Sequence, residues 1–235
     1  MATIKNGGRL HTGAAIFAAA RAVDTRLVKA RLAAFENAHR SYTEAQSKVD
    51  AAETQLRAAQ AKLGQCDVAQ DEAVEALARS LVFDGQPRTN PFAAFGAPAP
   101  SKLIKLPIAD KAAGVHQLVA AVQRNKNASK ATLQAAQAAE KAAGAAELGL
   151  IPVEKLQAVV RDTRHTRDAV AQSWESTLAA LKRGARAAAD DGAPQLYATL
   201  FGRPNNHRNN KNGKTAPAEA TPVPTPPAVA LTTPA

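Results

Sequence analysis

The chain has 235 residues, a formal net charge of +10 and a hydrophobic fraction of 46%, but 57 of its residues are alanine and only 45 are Leu, Ile, Val or Phe. Methyl-sized side chains bury too little area, at about 25 cal/mol per Å², to support a thick core with a deep pocket, so composition favours thin helical packing over a pocketed enzyme. A single cysteine, Cys66, excludes an intramolecular disulfide and any Cys-based zinc cluster, and it fits a reducing, cytoplasmic setting.

Residues 1–13 carry Gly7, Gly8 and Asn6 without periodicity and read as a flexible N-terminal arm before a helix that Thr12 caps. The short apolar run from Ala14 to Ala20 follows Lys5 and Arg9. Arg21 interrupts it and the helical pattern continues through, so a secretory leader is disfavoured. No stretch approaches the ~18 apolar residues that a membrane span needs.

From residue 14 to residue 83 there is no proline, and Gly85 and Pro87 mark a helix end just beyond. The expectation is one long helix over 14–83, about 105 Å at 1.5 Å per residue. Tyr42, Val49, Leu56, Leu63 and Leu77 recur on a seven-residue spacing, with Gln70 in the remaining place. Ala45, Ala52, Ala59, Cys66 and Ala73 take the alternate positions, which together make a coiled-coil seam for a closely packed partner helix. Gly64 does not disturb that phase, so the helix is expected to run through it.

Residues 84–107 form a Pro/Ala-rich connector, in which Phe92 and Phe95 are expected to pin the chain to a helical face. Residues 108–191 then read as an antiparallel helical hairpin turning between Gly149 and Pro152. Folding the chain there sets Leu118 against Leu181 and Asn125 against Trp174. A short amphipathic helix over 192–201 caps the bundle end, and residues 202–235 form a disordered tail, basic at first and then rich in Pro, Thr and Ala. The fold class expected is therefore all-α: an elongated, coiled-coil-like helical bundle of one long helix and a hairpin.

Chemistry is sparse. No two of the five histidines are spaced for a helical metal site, and there is no glycine-rich phosphate loop and no nucleophile elbow. No catalytic, cofactor-binding or metal-ligating residue is assigned, and the chain is not expected to be an enzyme. A helix of about 70 residues outruns partners of about 40, which leaves an apolar overhang. The association stripe expected is Ile16, Val23, Leu27, Phe35, Tyr42, Val49, Leu56 and Leu63, with a homodimer as its simplest product. Function is expected to be structural or scaffolding, acting through helix faces. The alternative is a nucleic-acid-associated protein binding weakly through spread positive charge and a basic tail, with Arg203, Arg208, Lys211 and Lys214 as candidate polyanion contacts.

Overall fold

The structure, a computed structural model, describes residues 6–202. Six helices follow one another: α1 (Asn6–Ala20), α2 (Lys29–Phe83), α3 (Pro100–Leu103), α4 (Ile108–Arg124), α5 (Lys130–Ala187) and α6 (Leu196–Phe201). No strand occurs among the described residues. The frame is the antiparallel pair of α2 and α5, helices of 55 and 58 residues that span about 82 and 87 Å. Their pairing is fixed by contacts along the whole length: Asp84 with Ser129, Leu63 with Gly149, Glu53 with Arg164, and His39 with Trp174.

The heptad seam faces α5 within the same chain. Tyr42, Val49, Leu63, Gln70 and Leu77 are buried, as are Ala45 and Ala52, while Leu56, Ala59, Cys66 and Ala73 are half-buried. Gly64 lies inside α2 without a break.

Three expected elements are corrected. The helix expected over 14–83 is two helices, because the chain turns between Ala20 and Lys29 through a 3-10 turn at Arg26–Val28. At this turn the Asp24 carboxylate accepts the Arg26 backbone N–H at 3.0 Å, a local bond that competes with helix continuation. Residues 6–13, expected as part of a flexible arm, are instead the first turns of α1, and Thr12 lies inside that helix. Gly13 permits the close approach of α1, since a Cβ there would sit 2.2 Å from the His39 imidazole.

The hairpin also turns elsewhere, at residues 125–129, between α4 and α5. Asn125 accepts from the Asn127 N–H, and Ser129 caps α5 by accepting the Thr132 N–H at 3.2 Å. Gly149 is no helix end. It lies inside α5 against Leu63, where an added Cβ would come within 3.1 Å of the leucine methyl, so it permits close packing of the frame helices. Pro152 is likewise internal to α5. The pairings of Leu118 with Leu181 and of Asn125 with Trp174 fall with the misplaced turn.

Two hydrophobic clusters form at separate places on the frame. One joins Val74, Leu77 and Leu81 of α2 to Val115, Leu118, Val119 and Val122 of α4 and to Ala136, Ala139 and Ala143 of α5. The connector closes this cluster with Phe92 and Leu103, both fully buried, and with Phe95 packed at its edge. The other joins Ile16 of α1, Phe35 and Tyr42 of α2, Trp174, Leu178 and Leu181 of α5, and Leu196 and Leu200 of α6. Between the clusters the apolar packing is that of α2 on α5, through Val49, Ala52, Leu63, Ala146, Val153 and Val160, with α4 reaching in through Lys111 to Asp67 and Asp71 and through His116 to Glu147.

Candidate interaction surface

The polar clusters are held by partners within the chain. Lys111, 2% exposed, places its ammonium on Asp67 at 2.7 Å and on Asp71 of the same α2 face. Burial pulls its pKa down, and the hydrogen bonds to Asp67 and Asp71 outweigh that, leaving it above the ordinary lysine value. His116 of α4 bridges two α5 carboxylates, with Nδ1 2.8 Å from Glu140 Oε1 and Nε2 3.3 Å from Glu147 Oε2. The Glu140 hydrogen bond is the main cause of its raised pKa.

In the second cluster the Trp174 indole N–H donates to His39 Nδ1 at 3.1 Å, and burial holds that imidazole below its ordinary value. A neutral His39 accepting at Nδ1 carries its proton on Nε2. Arg9 lies over the Tyr42 ring and pairs with Glu175 at 2.5 Å. Each of these groups ties one helix to another. Among the described residues no three metal-ligating side chains stand together, and no helix is long and apolar enough to cross a membrane.

The association stripe expected from sequence is mostly interior. Ile16, Phe35, Tyr42, Val49 and Leu63 are buried, Val23 and Leu56 are half-buried, and Leu27 alone is half exposed, at 50%. The overhang does not exist, because α5 runs as long as α2 and α1 folds back along it. Arg203, Arg208, Lys211 and Lys214 lie outside the described residues.

Phe83 and Val68 of α2 are exposed singly, whereas three exposed large apolar residues share the outer face of α5 between the clusters. Leu148 is 69% exposed, Ile151 47% and Val159 45%, and Pro152 is exposed beside them. Residues 148, 151, 155, 159 and 162 follow steps of three and four, so Lys155 and Asp162 share this face, away from buried Ala146, Val153 and Val160. Lys155 and Asp162 are exposed and make no ion pair among the described residues.

A neighbouring flank forms an open groove lined by Glu53, Leu56, Arg57, Gln157, Val160, Arg161 and Arg164. Its centre is occupied by the bond from the Arg164 guanidinium to Glu53 at 2.7 Å, which holds that carboxyl below the usual range. The apolar spacing on α5 was present in the sequence. It was hidden because a helix end placed at Gly149 puts Leu148 and Ile151 in a turn rather than on a continuous face.

Compared with known proteins, the chain matches no family model, no curated protein and no solved structure.

Proposed function

We propose that the chain is a non-catalytic, cytoplasmic scaffolding protein that self-associates as a homodimer through a helix face. The observation that carries this reading is the exposed apolar stripe of Leu148, Ile151 and Val159 on α5, set between the two hydrophobic clusters. Elsewhere α4 or α1 and α6 add a further layer to the frame pair. A non-catalytic role is supported by the way Lys111 and His116 are engaged by carboxylates of neighbouring helices, and by the Trp174 N–H that occupies Nδ1 of His39, which lines an open groove with Phe17, Leu32 and Arg40.

Sedimentation velocity over a concentration series tests the reading. A contact one helix face wide falls near the ~1,200 Å² at the lower end of stable complexes, so the expected result is a reversible dimer with a dissociation constant on the order of tens of micromolar. Leu148→Asp combined with Val159→Asp is expected to leave a folded monomer. A wild-type chain that stays monomeric at several hundred micromolar overturns the proposal, at about tenfold above the expected constant.

A second reading, weak contact with nucleic acid, is favoured by one feature. Lys182, Arg183 and Arg186 lie on the last turns of α5, with Lys182 over the Phe201 ring and Arg186 over Tyr197. The chain then continues from Phe201 into Arg203, Arg208, Lys211 and Lys214. Such binding would be blind to sequence and lost at moderate salt. In the same sedimentation runs, a labelled duplex that shifts at low salt and is released at moderate salt supports it. A duplex that sediments alone at both salts removes it.

A further inference from the structure

We infer that two copies pack α5 against α5, antiparallel, about a twofold axis between Ala158 and Val159. This rests on the self-association reading above and specifies its geometry. A symmetric pair requires the same surface patch on both copies, so a charged residue near the axis meets itself unless the register offsets it. Centring the pair on Lys155 brings two ammonium groups together, and a parallel in-register pair does the same while also opposing Asp162 to itself.

An antiparallel pair centred between Ala158 and Val159 sets Lys155 of each copy against Asp162 of the other. It forms two opposite-charge contacts from side chains that are exposed and make no ion pair within the described chain. The same register places Leu148 over Ala169, Ile151 over Thr166 and Val159 over Ala158. Each large apolar side chain thus meets a smaller one, the size alternation that interdigitated packing favours. Among the described residues no other helix covers Leu148, Ile151 and Val159, with α4 packing where His116 meets Glu140 and Glu147, and α1 where Arg9 meets Glu175.

A charge-swap cycle in the full chain, read by sedimentation equilibrium, tests the register. Lys155→Asp and Asp162→Lys each place like charges opposite one another twice per dimer, and each is expected to weaken association about tenfold. The double variant, Lys155→Asp with Asp162→Lys, restores both contacts in reverse and is expected to recover the wild-type constant within about threefold. Both positions are exposed, so circular dichroism should match the wild type for all three variants.

A dimer that the single swaps leave unchanged overturns the antiparallel register, because a parallel pair already carries like charges at both positions. A dimer weakened by the single swaps but not recovered by the double variant overturns it too. In either case self-association through helix faces stands. A wild-type monomer, or a dimer indifferent to Leu148→Asp with Val159→Asp, overturns the underlying reading together with the geometry.

Discussion

Single residues here act mainly as fasteners between helices, and two depend on pH near neutrality in opposite senses: His116, whose bonds raise its pKa, and His39, whose burial lowers it. The free imidazole titrates at 6.5, and the bonds to Glu140 and Glu147 raise that value in the folded chain. A folded pKa above the unfolded one means that the folded state holds the proton more tightly. The stabilisation is therefore complete below about pH 6.5 and is lost as pH rises through the raised folded value. Above about pH 6.5, where the lowered pKa of His39 keeps it neutral in the folded state, denaturant midpoints should fall up to about pH 8.5 in the wild type; below that, protonation of His39 opposes the trend. His116→Gln should be less stable at about pH 6.5 and flatter above it, and an unchanged pH slope in the variant would place the pH dependence elsewhere. Lys111 does not contribute there, since its ammonium is held above the ordinary lysine value. Gln70 is a fastener of another sort. It is fully buried at a seam position, and its amide has no hydrogen-bond partner among the described residues. Burying an amide in that state costs stability, a cost that a leucine at the same heptad position would not carry.

Among the elements, α5 is the longest that sequence signals place wrongly, and Pro152 is the reason. A proline three residues after a glycine reads as a stop and restart, and local propensity supports that reading. The structure runs α5 straight through both. Leu63 needs the space that Gly149 leaves, and buried Val153 and Val160 continue the seam beyond the proline. Pro152 itself has no N–H to give to the Leu148 carbonyl, one turn back. Pro152→Ala should restore that bond and stabilise the chain by about 1–3 kcal/mol, read as a higher denaturant midpoint at unchanged slope. A loss of stability would mean that the helix requires a bend at this point. The same contrast explains how much could be read in advance. The seam from Tyr42 to Leu77, the pinning by Phe92 and the amphipathic α6 were legible, because each rests on periodicity or on an apolar residue in a polar setting. The turn at Asp24 and the cap at Ser129 were not, since one carboxylate or hydroxyl bonding to backbone is a local event that carries no period. The exposed α5 face was missed as a consequence of the misplaced hairpin turn. The residues from Phe35 to Leu63 in the expected stripe lie instead on the face of α2 that packs within the chain.

At the scale of the molecule, the described chain holds two hydrophobic clusters joined by a stretch with little to couple them. No α2 residue between Tyr42 and Ala73, and no α5 residue between Ala143 and Val170, belongs to either cluster or packs at its edge. Over that length the buried contacts come from Val49, Leu63, Val153 and Val160 with alanines between them, a thin seam for transmitting cooperativity. The helices run on through it, but adding helical residues to an existing helix is nearly neutral per residue, so continuity alone does not make the two ends melt together. The single tryptophan makes this testable, because Trp174 is fully buried in the cluster with Phe35 and Tyr42 and therefore reports on one end only. Leu118 is buried in the other cluster, and Leu118→Ala should cost about 2–5 kcal/mol there. If the ends are weakly coupled, the variant's far-ultraviolet circular dichroism develops an early transition while the Trp174 emission midpoint stays near the wild-type value. Coincident transitions that shift together in both probes would instead show one cooperative unit, and the thin seam would then be carrying more coupling than its side chains suggest.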